Sequence, residues 1–280
     1  MRIVMTGSHG FVGSNLIEAL GDEHEIIRWD AQENRVLPEC DAVIHLAGLA
    51  HDTKNAKDPE KYFKVNTELT KKIYDRFLES GAARYIFFSS IKAKDVDTPY
   101  AQSKRCAEEY ILRLNDTNKK VYILRPCMIH GRGNMGNLNL LVKWVKKGWP
   151  WPLAAFENKR SFASMGNVSY VVEQLLKKDV SSGVYEVCDD EPVSTNELIG
   201  IVSQCMGKEI KMVRVPKWFM IAIAKMGGVL HLPLNGERLG KLTDDYVADN
   251  SKLKQALGIE RFPIDARSGL KYSIQRLINN

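Results

Sequence analysis

The chain has 280 residues, with 40 Lys and Arg against 34 Asp and Glu, a formal net charge of +6. Hydrophobic residues make up 44% and charged residues 26%, which excludes wholesale disorder and a staple-dependent miniprotein and leaves room for a large core with a smaller companion. The positive balance suits anionic ligands but lacks the one-sided basic runs of a nucleic-acid binder, and five cysteines without a C-x-x-C pair argue against a disulfide framework or zinc ribbon, so a reducing cytoplasm is the expected setting.

In chain order, short β-branched or aromatic runs at 2–6, 25–29, 42–47, 85–89 and 121–125 read as strands. Between them, 13–20, 62–80 and 102–114 carry apolar residues at helical spacing. Continuous apolar strands separated by helices predict an α/β fold with a parallel sheet covered on both faces. Glycine and asparagine crowd 131–139, and Trp149 to Pro152 break a short helix, so this stretch is expected to be loop-rich. A helix at 167–178 and a strand at 184–187 return the chain to the sheet, and Ser194 with Glu197 has capping-box spacing for a helix running to about Met206. The apolar stretch 3–5 is too short for a signal-peptide core. Trp218 to Ala224, broken by Lys225, is too short for a membrane span of about 20 residues. It reads as a packed helix, with a membrane-surface position as the alternative; stable membrane insertion is not expected.

The segment Thr6-Gly7-Ser8-His9-Gly10-Phe11-Val12-Gly13 follows the first strand and opens the first helix. Glycines there permit a tight turn and close approach to a pyrophosphate, whose charge the helix N-terminus stabilises. Without its strand-turn-helix setting the same trio describes an ordinary turn. Asp30, at the end of the second strand, is placed to accept from both hydroxyls of an adenosine ribose, favouring NAD; Arg28 and Arg35 keep NADP open. Tyr100 and Lys104, four apart, share a helix face, and a neighbouring ammonium is expected to lower the tyrosine pKa so that it exchanges a proton with an alcohol or carbonyl. Ser90 can hydrogen-bond the same oxygen. A lone Y-x-x-x-K also describes a solvated helix face; the dinucleotide turn upstream favours chemistry.

These residues resemble the extended short-chain dehydrogenase/reductases that act on nucleotide sugars. The likeness runs through TGSHGFVG, Asp30, HLAGLAH at 45–51, Asn66 in NTELT, FFSSIK at 87–92, PYAQSK at 99–104 and RPCMIHGRG at 125–133. The resemblance implies a Rossmann-type dinucleotide-binding core over 1–130, with 165–190 returning to it. It implies a smaller, mostly helical substrate lobe over 131–164 and 191–280. Gly7, Gly10, Phe11, Val12 and Gly13 would contact the NAD pyrophosphate and Asp30 the ribose, with Leu46, Ala47, Gly48 and Asn66 along the cofactor path. Ser90, Tyr100 and Lys104 would be the catalytic set, Tyr100 and Lys104 also meeting the cofactor. Asn137, Leu138, Arg160 and Arg238 would hold the diphosphate of a UDP-sugar. A homodimer through helices 62–80 and 102–114 is implied by the same analogy.

Within the family, PLAAFENKRSF at 152–162 resembles bacterial UDP-4-keto-6-deoxy-N-acetylhexosamine 4-reductases of surface-polysaccharide synthesis. UDP-sugar 4-epimerase is the alternative, but Pro126-Cys127-Met128 replaces its Tyr-Phe-Asn, and Met128 cannot donate and accept like asparagine. Several positions depart from the family pattern: Asp30 and Asp41 are too close for an intervening strand and helix, Ala50 replaces a lysine, His130 replaces a tyrosine, and the stretch between Ser90 and Tyr100 is short. The histidines lack metal-ligand spacing, so no metal is expected. Cys127 reads as a small buried thiol and Lys143, Lys146 and Lys147 as a solvated basic face. A noncatalytic NAD-binding regulator ranks last, because the three catalytic positions are intact.

Overall fold

The computed structural model describes residues 1–30, 36–49, 58–114, 116–133, 138–229 and 235–279. In chain order the first elements are β1 (Arg2–Thr6), α1 (Phe11–Leu20), β2 (Glu25–Arg28), β3 (Ala42–His45), α2 (Pro59–Tyr62), a π-helical stretch (Phe63–Glu68) and α3 (Leu69–Glu79). They are followed by β4 (Arg84–Phe88), a 3₁₀ turn (Ile91–Lys94), α4 (Pro99–Arg113), β5 (Lys120–Pro126), β6 (Met128–His130), α5 (Leu138–Lys146) and β7 (Phe162–Ser164). The chain ends with α6 (Met165–Lys177), β8 (Gly183–Val187), α7 (Thr195–Cys205), α8 (Lys217–Val229), α9 (Gly236–Thr243), α10 (Ser251–Leu257) and α11 (Ala266–Ile278).

Two compact units result. The first comprises Met1–Cys127, Met165–Cys188 and Ala248–Pro263. Its sheet is parallel throughout, in the order β2-β1-β3-β4-β5-β8. The strands alternate side chains between two buried faces, which is why they read as continuous apolar runs. On one face Val4, Val43, Tyr85, Phe87, Val121 and Ile123 pack with Ile73, Tyr74 and Phe77 of α3 and Ala107 and Ile111 of α4. Each fully buried aromatic or branched side chain there contributes about 2–3 kcal/mol. Ile3, Met5, Ile44 and Ile86 are buried on the opposite face, and α1 and α6 pack together. No strand lies between β2 and β3 among the described residues, in keeping with the short Asp30 to Asp41 interval.

Residues 248–263 correct the sequence reading, which grouped them with 191–280. Asn250 donates to the Cys188 carbonyl at 3.0 Å, Lys252 to the Val184 carbonyl at 2.9 Å, and Asp249 N–H to Glu186 at 2.9 Å. Leu253 and Leu257 are buried. These bonds to the edge strand β8 fasten α10 to the sheet, a pairing that local composition does not encode.

The second unit comprises Met128–Ser164, Asp189–Val247 and Ile264–Asn280. Its two strands, β6 and β7, pair in parallel. Its core joins Leu138, Leu141 and Val145 of α5 to Leu198, Ile199 and Val202 of α7 and Leu270 and Ile274 of α11, with Trp151, Phe162 and Val193 among them. The capping box at Ser194 and Glu197 is complete: each side chain accepts from the other's backbone N–H.

Candidate active site

The turn between β1 and α1 is built on glycine. Gly7 has φ +66°, and a Cβ there would lie 2.6 Å from the Ala47 nitrogen. A Cβ at Gly13 would lie 2.5 Å from the Gly7 carbonyl oxygen. Only glycine lets these backbones approach so closely. Gly10 is the N-cap of α1 and supplies no side-chain bond, and the first turn, with Phe11 and Val12, carries no acidic residue. A helix start with no anionic side chain and no cap suits an external phosphate. Asp30 is exposed just beyond the end of β2. Arg35, Ala50, His51 and Asn137 lie outside the described residues.

Leu46, Ala47 and Gly48 follow β3 and are fixed from two sides. The Ala47 N–H donates to Thr6 Oγ1 at 3.2 Å. Asn66, fully buried in the π-helical stretch, accepts from Leu49 N–H at 2.8 Å and donates to the Leu49 carbonyl at 3.2 Å and to Ser103 Oγ at 3.0 Å. The π-helical register turns Asn66 inward, where it ties this loop to α4. Behind it, His45 Nδ1 lies 2.7 Å from Thr6 Oγ1 and Nε2 lies 2.9 Å from Thr70 Oγ1. Because Thr70 donates its only hydroxyl proton to the Asn66 carbonyl, Nε2 must carry the imidazole proton and Nδ1 accepts from Thr6. The ring is therefore neutral, in accord with burial pushing its pKa down to about 3.

Ser90 and Tyr100 come together. Thr98 caps α4, accepting from Ala101 N–H at 3.2 Å, and Pro99 fills the first turn, so TPYAQSK is a helix start that sets Tyr100 at its beginning. Ser90 ends the stretch after β4 and opens the 3₁₀ turn. Between them Val96 takes φ +48°, a strained conformation for a β-branched residue. Ser90 and Tyr100 lie close enough for the serine hydroxyl to act on the phenol, and the Tyr100 ring meets Tyr62 edge-on at 6.1 Å.

Lys104 lies deeper, 4% exposed, with Nζ donating to the Phe88 carbonyl at 2.8 Å and sitting 4.8 Å over the Phe87 ring. A Cβ at Gly48 would come within 3.2 Å of that nitrogen, so Gly48 keeps the lysine's surroundings open. Burial lowers the Lys104 ammonium to about 8, against the opposing pull of Glu108. The expected fall of the Tyr100 pKa is corrected by the structure: burial raises it, and the nearby Ser90 hydroxyl offsets only part of the rise. The ammonium is engaged with the β4 carbonyl rather than with the phenol.

The sequence reading missed a charged network beneath these residues. Glu108, one turn beyond Lys104 and 1% exposed, accepts from Ser89 Oγ and is forked by Arg125, whose Nε and Nη2 lie 2.9 and 2.5 Å from its two oxygens. The spacing Lys104 to Glu108 was a visible signal, since i and i+4 share a helix face. Cys127 is buried, as expected of a small thiol.

In the second unit, Leu138 sends its side chain into the core, leaving only its backbone for a ligand. Arg160 is half-buried, with Nη1 donating to the Lys241 carbonyl at 2.7 Å and the Asp244 carbonyl at 3.4 Å. Its backbone bridges Val193 and Tyr246. Asn158 anchors the same segment by donating to Thr195 Oγ1 and to the Leu242 and Asp244 carbonyls. Arg238 is exposed in the first turn of α9, whose N-cap is Asn235. The two arginines thus meet the same helix, Arg160 at its C-terminal carbonyls and Arg238 near its start. His130 is buried, within 2.9 Å of Ser273 Oγ and 3.4 Å of Asp189.

A parallel sheet whose first strand turns through glycines into a helix, followed by a serine-tyrosine-lysine set, defines a dinucleotide-dependent enzyme class. The description "NAD dependent epimerase/dehydratase family" fits residues 3–188, and the chain belongs to that family of extended short-chain dehydrogenase/reductases. It is 28% identical to UDP-glucose 4-epimerase of Vibrio cholerae, over 99% of this chain and 95% of that one. It is 33% identical to UDP-2-acetamido-2,6-beta-L-arabino-hexul-4-ose reductase of Pseudomonas aeruginosa, over 51% of this chain and 39% of that one. The crystal structure of the Bordetella bronchiseptica enzyme WbmG in complex with NAD shares the fold at a TM-score of 0.76 and 19% identity, covering 100% of this chain and 94% of that one.

Proposed function

We propose that this enzyme is an NAD(P)-dependent oxidoreductase acting at C4 of a UDP-sugar, reducing a UDP-4-keto-6-deoxy-N-acetylhexosamine. The observation that carries the reading is the placing of Ser90, at the head of the 3₁₀ turn, near Tyr100 on α4, the helix that also bears the buried Lys104 ammonium. Gly7, Gly10, Phe11, Val12 and Gly13 fit a pyrophosphate, since a Cβ at Gly7 or Gly13 would fill the turn, and Asp30 fits the ribose. Leu46, Ala47, Gly48 and Asn66 form the fixed edge along which the rest of the cofactor runs. When bound, NAD(P)H supplies the hydride for the keto carbon.

The chain's own residues handle the proton. Tyr100 keeps its proton at neutral pH because burial raises its pKa, so it is an acid for the alkoxide that forms at the C4 oxygen. Ser90 hydrogen-bonds that oxygen and orients it. A buried cation one turn along α4 favours the phenolate left after transfer, and Lys104 also meets the nicotinamide ribose. Leu138, through its backbone, with Asn137, Arg160 and Arg238, holds the diphosphate of the sugar nucleotide.

Support for the reductase comes from the Pseudomonas aeruginosa relative and from Met128, whose thioether stands where the epimerase pattern has asparagine. A second reading, a UDP-sugar 4-epimerase using retained NAD, is favoured by the near end-to-end match to the Vibrio cholerae relative. Incubation with a UDP-4-keto-6-deoxy-N-acetylhexosamine and NADH or NADPH separates them. Stoichiometric cofactor oxidation supports the reductase, whereas no oxidation together with epimerisation of a UDP-sugar supports the rival. Assembly as a homodimer through α3 and α4 belongs to the same proposal, and light scattering tests it.

A further inference from the structure

Helix α8 is apolar on both sides. Met220, Ala224 and Gly227, at helical spacing, face the core of the second unit. The opposite side presents Trp218, 71% exposed, and Met226, 61% exposed, together with exposed Phe219, Ile221 and Ala222. The packed-helix expectation therefore accounts for only half of this helix. A surface helix of a water-soluble domain ordinarily carries polar residues outward, and contiguous outward aromatics mark an interaction site.

The charge on α8 and the segment before it is mainly positive. Lys225 is exposed on the outward side of α8, and Lys217 is exposed at its start, with Nζ 5.7 Å over the Phe156 ring. The preceding segment runs alongside 149–154, with Trp151 N–H donating to the Lys211 carbonyl at 2.9 Å and Val213 N–H to the Trp151 carbonyl at 2.8 Å. This pairing places Lys211 next to Trp151, close in the chain to the exposed Trp149, and Arg214 opposite Leu153, while Lys208 donates to the Lys146 carbonyl at 2.6 Å. From 207 to 229 there are five basic residues and a single acidic one, Glu209. None of Lys211, Arg214, Lys217 and Lys225 has an ion-pair partner among the described residues.

We propose that the outward face of α8 and its basic flank bind the surface of an anionic lipid bilayer. Indole and phenyl rings with aliphatic neighbours suit the headgroup boundary, and lysines at the same level meet lipid phosphates. Charge complementarity selects this occupant over a second copy of the chain, which would set like charges against each other. No described helix is long and apolar enough to cross a membrane, so the attachment is peripheral.

The test is cosedimentation of the full chain with phosphatidylcholine vesicles, alone or containing about one-third phosphatidylglycerol, near physiological salt. The protein is expected to pellet with the anionic vesicles and to stay in solution with the neutral ones. Lys217→Glu with Lys225→Glu should weaken binding about 30-fold or more. Trp218→Ser with Phe219→Ser should weaken it at least about tenfold, and Ile221→Ser with Met226→Ser provides a second, independent apolar change. All three variants should retain NADH binding and vesicle-free turnover. Failure of the wild type to pellet with anionic vesicles overturns the proposal. So does a Trp218→Ser, Phe219→Ser protein that pellets as well as wild type, because bare charge attraction would then suffice. A wild-type dimer in ultracentrifugation that this variant lacks assigns the face to a second copy and also overturns it.

Discussion

Replacing Lys104 with methionine is expected to stabilise the fold at neutral pH while removing turnover. The ammonium is 4% exposed, and burial lowers its pKa from 10.5 to about 8. Below about pH 8 the lysine is charged in both folded and unfolded chains, and the folded state bears the full cost of burying the charge. As pH rises from about 8 to about 10.5, the folded lysine has released its proton while the unfolded one retains it, so the cost shrinks and stability rises. The interval corresponds to roughly 3 kcal/mol. Loss of the bond to the Phe88 carbonyl, 2.8 Å long, subtracts about 1 kcal/mol. Methionine has a comparable length and fills the same space. The variant should therefore be about 2 kcal/mol more stable than wild type near pH 7, with the advantage vanishing towards about pH 10. Urea unfolding at the two pH values measures this. A variant less stable than wild type at neutral pH, or a gap that does not narrow on alkalinisation, would refute the reasoning.

Other substitutions probe neighbouring parts of the site. Glu108→Gln leaves Arg125, whose side chain is 13% exposed, facing a neutral amide; this should cost about 2–4 kcal/mol and lower the Tm by several degrees in calorimetry. The same change removes the carboxylate that holds Lys104 up, so its ammonium should titrate below its present value of about 8 in a pH-rate profile. Gly7→Ala forces a Cβ to 2.6 Å from the Ala47 nitrogen at φ +66°, and should cost about 2–4 kcal/mol and weaken dinucleotide binding. Gly10→Ala, whose Cβ would meet only the Gly7 oxygen at 3.3 Å, should be milder in the same thermal and calorimetric titrations. Tyr100→Phe should keep NADH affinity while kcat falls about 10²- to 10⁴-fold in single-turnover kinetics; full turnover would remove the tyrosine from its assigned role.

Much of the fold was legible because the sheet is buried on both faces: each strand of the first unit is an apolar run that ends at a glycine, a serine or a charged residue. The start of α7 could be read from its capping box, whereas the cap at Thr98 and Pro99 begins α4 three residues before the 102 that apolar spacing gave. What local sequence could not convey was long-range. The tie of α10 to β8 depends on bonds to strand carbonyls over 60 residues away. The π-helical turn that buries Asn66 has no compositional mark. The tyrosine-lysine spacing was readable, but not the depth of burial that raises one pKa and lowers the other, since desolvation follows from packing rather than spacing. Ser89, Glu108 and Arg125 each looked like an ordinary polar residue, and only the fold joins them. The outward apolar side of α8 was legible only as an alternative, because an all-apolar run reads first as core and second as a surface helix.

Transfer of label from 4-deuterated NADH or NADPH to a UDP-4-keto-6-deoxy-N-acetylhexosamine, followed by NMR of the sugar, addresses hydride chemistry at C4 most directly. Deuterium is expected at C4 of the product, in step with cofactor oxidation. A reduced product without label at that carbon, or no reduction by protein that binds both ligands, would contradict the assignment.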